Sequence, residues 1–212
     1  MLMKDGNPTR AWPIAAAFLL LSAWLSAANA QTLEGRALVD ALREGGYVIV
    51  MRHAHSPRAT PDAGHAAAGN VKLERELDAE GREAAAGMGR ALKELHIPIA
   101  EVLSSPTFRA LETVRLMGLQ ATPTAELGDA GQDMKADTEG TRSAWLRNRA
   151  AQKPPAGGNS LLVTHLPNLV GAFGDAAKDT GDGEALIFRP DGRRAELAGR
   201  VSMDEWPRLA AD

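Results

Sequence analysis

The sequence predicts an α/β protein, built as a single three-layer α/β/α domain around a mostly parallel central sheet. Short apolar runs of strand character alternate along the chain with segments whose apolar residues recur at helical spacing. Such alternation is typical of parallel sheets covered by helices on both faces. With 212 residues, of which 44% are hydrophobic and 24% charged, the chain can bury one core and is too short for two full-sized domains.

The first predicted unit consists of a helix at 33–43, a strand at 47–51 and a long loop at 54–72. The helix has its apolar residues on one side and ends before a Gly-Gly pair. The strand is a continuous apolar run with β-branched residues, which is typical of a strand buried on both faces. The loop contains two prolines and two glycines, and it follows the carboxyl end of the strand.

The next unit is predicted to be a helix at 78–95, a strand at 101–103 and a helix over 105–117. Asp78 is a suitable N-cap for the first of these helices. Ser105 is a suitable N-cap for the second, because a proline follows it at the first helical position.

The rest of the chain shows the same alternation. In order, we expect an irregular segment at 121–137 with a brief strand at 124–127, a helix at 138–151, a strand at 160–164, a helix opened by Pro167, and a hairpin of strands 185–188 and 195–201. The hairpin would turn at Pro190-Asp191-Gly192.

The first thirty residues have the pattern of a secretory signal peptide. Lys4 and Arg10 precede an apolar run that ends in Ala28-Asn29-Ala30. We expect cleavage of residues 1–30, which leaves 31–212 as a periplasmic or secreted domain with no stable membrane insertion. The alternatives are an uncleaved membrane anchor and a buried helix of the domain. The anchor is the stronger of the two, since the run is nearly long enough to span a bilayer.

The composition argues against several classes of function. A formal net charge of −3 argues against a nucleic-acid binder held by bulk positive charge. The absence of cysteine excludes disulfides, thiolate catalysis and cysteine-ligated metals. Aromatic residues make up only 4% of the chain, which disfavours platforms for base stacking.

Four cationic or cation-capable side chains follow three of the predicted strands. Arg52 and His53 end the first strand, Arg109 lies in the first turns of the helix after the second, and His165 ends the third. Ligands of such sheets bind beyond the carboxyl ends of the strands, so these side chains should meet at one edge. They favour an anion with several oxygens, such as phosphate. The helix after the second strand would add backbone N–H groups and its positive end.

The other three histidines lack this setting. His65 lies in a loop and His96 precedes a proline, so neither is expected to act in a site. His55 could line the pocket or face water. A metal site built on His53 and His55 is disfavoured, because we see no further ligands nearby in the sequence.

Three short stretches form a recognisable pattern: Val50-Met51-Arg52-His53-Ala54, Leu-Ser-Ser-Pro-Thr-Phe-Arg-Ala-Leu-Glu-Thr at 103–113, and Val163-Thr164-His165. In this order they resemble the histidine phosphatase (phosphoglycerate-mutase-like) superfamily, and specifically an exported bacterial-type member of its mutase-like branch. The middle stretch is the most specific of the three. The order of elements extends the resemblance over most of residues 33–205.

The resemblance implies a phosphomonoester hydrolase that acts on a small phosphorylated substrate and needs no metal or other cofactor. His53 would be the nucleophile and form a phosphohistidine, which water then hydrolyses. His53, Arg52, Arg109 and His165 would bind the phosphoryl oxygens. The attacking imidazole must be neutral, and we expect the two arginines to lower the pKa of His53 below about 6.5.

Three carboxylates are candidates for the general acid. Asp129, just after the brief strand at 124–127, best matches the position of the acid in the mutase-like branch, and Glu126 and Glu184 are the alternatives. The acid-phosphatase and phytase branch has its acid directly after the second histidine, where this chain has Leu166. The resemblance therefore disfavours that branch.

Two positions depart from the family pattern. Ala54 replaces the usual glycine after the nucleophile, and its methyl group forbids backbone angles that only glycine accepts. Ala59 replaces an asparagine that often binds phosphate. These departures bear on geometry and substrate and not on the reaction class. The alternative function is a catalytically weak phosphate-binding or regulatory module of the same fold, and the main feature that favours it is that the general acid is not identified. The sequence indicates neither the physiological substrate nor the oligomeric state.

Overall fold

The computed structural model describes residues 32–129 and 140–211, which form one mixed sheet covered by helices. The helices are α1 (Gly35–Glu44), α2 (Ala79–Glu94), α3 (Phe108–Leu116), α4 (Thr141–Ala150), α5 (Leu166–Phe173) and α6 (Trp206–Ala211). The strands are β1 (Val48–Arg52), β2 (Ile99–Ser104), β3 (Thr122–Pro123), β4 (Asn159–Thr164), β5 (Ala185–Pro190) and β6 (Ala195–Val201). Short 3-10 turns lie at Ala125–Leu127 and Gly174–Ala176.

The strand order in the sheet is β3-β2-β4-β1-β5-β6. The first four strands of this order pair in parallel, and β5 and β6 add an antiparallel hairpin beside β1. The predicted α/β class and final hairpin are therefore confirmed. The register between β1 and β4 pairs Arg52 with Thr164, so residues 53 and 165 leave the sheet side by side.

Each face of the sheet has its own apolar core, because successive residues of β1 point to opposite faces. Ile49 and Met51 belong to the core beneath α1, α2, α3 and α6. Val48 and Val50 belong to the core beneath α4 and α5. All four residues are fully buried, which explains the continuous apolar run in the sequence.

Two local predictions were wrong. The strand expected at 124–127 lies at Thr122–Pro123, and a 3-10 turn follows it at Ala125–Leu127. Ser105 does not cap a helix: α3 begins at Phe108, whose backbone N–H donates to the Glu74 carboxylate at 2.7 Å. The N-cap is Thr107, so the helix starts two residues later than predicted.

The other elements agree with the sequence within a few residues, and Asp78 caps α2 by accepting from the backbone N–H of Gly81 at 2.9 Å. The short helix α6 was not predicted. The proposed signal peptide at 1–30 lies outside the described residues. Within the described ranges, no helix combines the length and apolar character needed to cross a bilayer.

Candidate active site

A polar cavity of about 670 Å³ opens at the carboxyl ends of β1, β2 and β4. Arginine, histidine and aspartate side chains dominate its wall, namely Arg52, Arg58, Arg75, Arg109, His53, His55, His165, Asp129 and Asp182. The four cationic or cation-capable residues predicted from the strand ends are all among them. The structure therefore brings these four together at one edge of the sheet, as the topology required.

His53 lies directly after β1 and is only 3% exposed. Its ring Nδ1 is 2.8 Å from the carbonyl oxygen of Ala54. A carbonyl can only accept, so the hydrogen of the neutral ring is on Nδ1 and the lone pair is on Nε2. Arg109 Nε donates to that Nε2 at 3.1 Å. The nitrogen that points into the cavity is therefore the one with nucleophilic character.

His165 lies between β4 and α5 and is 2% exposed. Its Nδ1 accepts a hydrogen bond from an NH2 group of Arg109 at 3.0 Å, and its Nε2 lies 2.8 Å from the Ser105 hydroxyl. Because Arg109 can only donate, Nδ1 is unprotonated and Nε2–H donates to Ser105. The hydroxyl of Ser105 thus orients His165.

Arg109 is the central contact of the site. Its guanidinium donates to the lone pairs of both imidazoles and, through the NH2 group that reaches His165, to the Asp129 carboxylate at 3.1 Å. The rings of His53 and His165 have centroids 5.2 Å apart, at an interplanar angle of 62°. One planar guanidinium therefore sets the spacing between the two rings.

Burial is the main reason that both histidines are held neutral. The pKa of His53 is lowered from 6.5 to about 3, with burial as the largest cause. Arg109 and Arg52 add to this lowering, and the hydrogen bond to the carbonyl of Ala54 acts in the opposite direction. Burial also lowers the pKa of His165 well below its usual value. The pKa of His53 is lowered, as expected, but the leading cause is desolvation and not the neighbouring arginines.

Arg52 is held by the segment that leads into β5. One NH2 group donates to the carbonyl oxygen of Thr180 at 3.3 Å, and the other lies 2.7 Å from the Asp182 carboxylate. The backbone N–H of Gly183 donates to the carbonyl oxygen of His53 at 2.9 Å. Gly183 has φ +73°, a conformation that favours glycine, so this turn can reach behind the nucleophile.

Of the three candidate acids, Asp129 is the one that lines the cavity. The carbonyl oxygens of the two preceding residues are fixed by Thr164, whose hydroxyl donates to Leu127 at 2.8 Å, and by Asn168, whose amide donates to Gly128 at 2.6 Å. Asp129 Oδ2 lies 3.9 Å from Nδ1 of His165.

The other two candidate acids do not line the cavity. Glu126 lies half-buried in the 3-10 turn before Asp129. Glu184 forms an ion pair with Arg200 at 2.8 Å and accepts from the backbone N–H of Gly181. Their positions favour Asp129 as the candidate acid.

Ala54 fits where the family pattern has glycine. The residues of the described ranges other than glycine that have positive φ are Leu73 and His96, so the backbone at Ala54 needs no special freedom. Its backbone N–H donates to the Thr113 hydroxyl at 3.1 Å, and its methyl group is fully buried. The departure from the pattern is therefore accommodated without strain.

Three cavity residues were not singled out by the sequence analysis. All three lie on loops, namely Arg75, Asp182 and Ser56. They do not follow a strand end directly, which is the feature from which the other residues were predicted. Arg58, in the loop at 54–72, was not singled out either. Arg75 lies three residues before Asp78, the N-cap of α2, and no pattern in the sequence pointed to it.

His55 has carboxylate neighbours that the sequence analysis did not anticipate. Its Nδ1 lies 2.7 Å from Asp78, and this hydrogen bond raises its pKa. The ligand atoms of His55, Asp78 and Glu80 lie within 4.8 Å of one another, so these three residues could hold a metal ion. This group does not include His53, so it is not the metal site on His53 and His55 that the sequence disfavoured.

The amino end of α3 contributes less to the cavity than expected. The Phe108 N–H is occupied by Glu74, and the Thr107 N–H points to the Ser105 hydroxyl at 3.3 Å. The cationic groups that face the cavity are therefore side chains, chiefly that of Arg109.

Two buried neutral imidazoles and two guanidinium groups meet at the carboxyl edge of a largely parallel sheet, an arrangement that suits an oxyanion ligand. The family model described as the histidine phosphatase superfamily, branch 1, matches residues 48–165, which is more than half of the chain. The chain therefore belongs to the histidine phosphatase superfamily, as its motifs predicted. Comparison with curated protein sequences gave no significant match.

Solved structures share the fold. The structure of the protein histidine phosphatase SixA complexed with tungstate matches with a TM-score of 0.52 and 21% identity, over 75% of this chain and 98% of that chain. A candidate phosphohistidine phosphatase SixA from Agrobacterium tumefaciens matches with a TM-score of 0.50 and 17% identity, over 74% of this chain and 98% of that chain. At these identities the likeness is one of fold.

Proposed function

We propose that this protein is a metal-independent phosphomonoester hydrolase of the mutase-like branch, which works through a phosphohistidine on His53. The observation that supports this most directly is the tautomer of His53. Its hydrogen is committed to the carbonyl oxygen of Ala54, and its Nε2 lone pair faces a cavity lined by arginines. SixA, whose structure is described as a complex with tungstate, a tetrahedral oxyanion, is a protein histidine phosphatase of the same fold.

In the first step, the Nε2 lone pair of His53 forms a bond to phosphorus, and the bond from phosphorus to the leaving oxygen breaks. The phosphoryl oxygens replace the imidazole nitrogens as acceptors of Arg109, and Arg52 binds a further oxygen. Nδ1 of His165, which loses its Arg109 donor, takes the proton of the phosphomonoester monoanion and donates it in a hydrogen bond to a phosphoryl oxygen. The phosphorylated imidazole acquires positive charge. Its Nδ1–H stabilises that charge by donating to the carbonyl oxygen of Ala54.

The leaving oxygen takes a proton from Asp129 in this scheme. In the second step, water attacks phosphorus, the N–P electron pair returns to His53 Nε2, and the proton of the water passes to the Asp129 carboxylate. The arginines neutralise the phosphoryl charge throughout, which is the task that magnesium performs in kinases.

The catalytically weak phosphate-binding module is the second candidate, and one contact favours it. The Asp129 carboxylate accepts from Arg109 at 3.1 Å, and a carboxylate that stays bound to this guanidinium is not positioned to protonate a leaving oxygen. If Asp129 keeps this partner when substrate binds, only esters with good leaving groups will react.

The central experiment measures hydrolysis of 4-nitrophenyl phosphate in the presence of a chelator. We expect wild type to be active, and His53→Ala to be inactive because the nucleophile is missing. Acid-labile, base-stable phosphate should remain on wild type after rapid quenching and be absent from the variant. His65→Ala is the matched control, because His65 is exposed and pairs with Asp62 outside the cavity.

Two results would contradict the proposal. Activity that disappears with chelator and returns with a divalent cation would refute metal independence. Full activity in His53→Ala would refute the assignment of His53 as the nucleophile.

The role of Asp129 is tested by comparing alkyl with aryl esters. Asp129→Asn should lose alkyl esters selectively, since an alkoxide needs protonation and a nitrophenolate does not. Glu126→Gln and Glu184→Gln should treat both esters as wild type does. Equal losses on both esters in Asp129→Asn would favour a binding role for this carboxylate.

The proposed setting is the periplasm or the medium, with a small phosphorylated molecule as substrate and no nucleic-acid partner. This setting depends on the leader pattern at 1–30. Sequencing the amino terminus of the exported protein should give Gln31 as its first residue. Retention of the leader in the membrane fraction would favour the anchor instead.

A further inference from the structure

Two arginines of the cavity wall have no task in the scheme above. Arg75 donates from Nε to the carbonyl oxygen of Pro57 at 2.8 Å and from an NH2 group to the carbonyl oxygen of Ser56. The Pro57 carbonyl belongs to the peptide group that leads directly to Arg58. The Arg75 guanidinium is therefore fixed against the stretch of wall from which Arg58 extends, and both side chains line the same cavity.

These two guanidinium groups differ from the catalytic pair in charge balance. Arg52 faces the Asp182 carboxylate and Arg109 faces that of Asp129. In the part of the chain that the structure describes, no carboxylate forms an ion pair with Arg58 or Arg75. Their positive charge is therefore available to a ligand.

The fixed position of Arg75 reduces the entropy that a ligand contact would otherwise cost. Two of its donors are held by backbone carbonyls, and the remaining N–H groups are presented in one orientation. Its charge is close enough to the reaction centre to lower the pKa of both His53 and His165. Arg58, which is exposed, lies farther out on the same wall.

The cavity is also larger than one phosphoryl group requires. Its volume of about 670 Å³ lies within the range of pockets that enclose whole small molecules. Its wall is mostly charged, so the remainder of the ligand is expected to be polar.

We propose that Arg58 and Arg75 form a second anion subsite, which binds a carboxylate or a second phosphate of the molecule whose phosphoryl group lies on His53. The inference rests on the proposed function and narrows its substrate class. The substrates would be small phosphomonoesters that contain a second anionic group. Neutral phosphorylated alcohols and simple aryl phosphates would be poor substrates by comparison.

Binding of phosphonates tests the subsite without requiring catalysis. We would measure the Kd values of phosphonoacetate, 3-phosphonopropionate and 4-phosphonobutyrate by calorimetry, each beside an alkylphosphonate of equal length. The series covers three separations between the two anionic groups. We expect at least one carboxylated member to bind about tenfold more tightly than its alkyl counterpart, as expected for a charged hydrogen bond.

The advantage of the carboxylate is then measured in Arg58→Gln, Arg75→Gln and a matched control. Arg58→Gln is the cleaner variant, because Arg58 is exposed and Arg75 also supports the backbone of the wall. We expect the tenfold advantage to fall to about threefold or less in either variant, because one charged contact is lost. Arg193→Gln removes a charge from the β5–β6 turn at the opposite edge of the sheet and should keep the full advantage.

Three other outcomes would overturn the subsite. If no carboxylated phosphonate binds more tightly than its alkyl partner, the subsite does not exist, and the phosphatase proposal stands. An advantage that survives in both Arg58→Gln and Arg75→Gln would assign the second anion to other residues. If neither class of phosphonate binds to wild type, the phosphate pocket itself is refuted, and the subsite with it.

Discussion

The buried nucleophile should make the fold sensitive to acid, by an amount that the structure fixes. Folding lowers the pKa of His53 from 6.5 to about 3, chiefly through burial. Between these two values the unfolded chain binds a proton on this ring and the folded chain does not. The resulting contribution to stability is fully present above pH 6.5 and is lost as the pH falls towards 3.

The size of the effect follows from linkage. Between pH 7.0 and pH 4.5, the two pKa values of His53 remove about 2.5 kcal/mol from the free energy of unfolding. Glutamine is neutral over this pH range, so the free energy of unfolding of His53→Gln should not include this loss. The difference between the acid losses of wild type and the variant should therefore be about 2.5 kcal/mol, although other groups titrate in both.

Urea unfolding at the two pH values measures this difference. His65→Gln serves as the control, because His65 is exposed and should leave the acid sensitivity at its wild-type size. If wild type and His53→Gln lose the same free energy between pH 7.0 and pH 4.5, the ring is not held neutral by burial. The assignment of a neutral His53 ring with its lone pair on Nε2 would then be wrong as well.

Three further substitutions test contacts of the site. Asp182→Asn should raise KM for aryl phosphates more than it lowers kcat and leave Tm near that of wild type, because it loosens Arg52 without emptying the cavity; an unchanged KM would contradict this role. Gly81→Ala should lower Tm, since its added Cβ would overlap the carbonyl oxygen of His55; an unchanged Tm in a thermal melt would show that α2 can move away. Arg109→Lys should reduce kcat/KM by roughly a hundredfold to a thousandfold, because an ammonium cannot reach both imidazoles; a loss under tenfold would refute its central place.

The fold could be predicted where burial determines the pattern. β1 and β4 are buried on both faces, so their apolar runs are continuous and easy to recognise. β3 consists of two exposed residues at the edge of the sheet and leaves no apolar pattern. α6 has only six residues, and it is held by packing of the fully buried Trp206, which local spacing does not reveal.

The site could be predicted where chemistry follows a strand directly. His53 and His165 were found because each comes immediately after a buried run, and β1 pairs with β4 in register. Arg75 and Asp182 were missed because only tertiary structure brings their loops to the cavity. Ser105 was assigned to the wrong task, since residue type alone does not reveal that its hydroxyl binds a ring 60 residues away.

The strand order has a consequence for synthesis of the chain. β1 is among the first strands to leave the ribosome, yet its neighbours in the sheet are β4 and β5, which come from residues 159–164 and 185–190. Until those segments emerge, a strand whose first four residues are apolar has no partner for its backbone. Pairing over such separations slows folding and prolongs the exposure of aggregation-prone surface. The nascent polypeptide therefore stays unfolded around β1 until its last third has been translated, and only then can the cavity form.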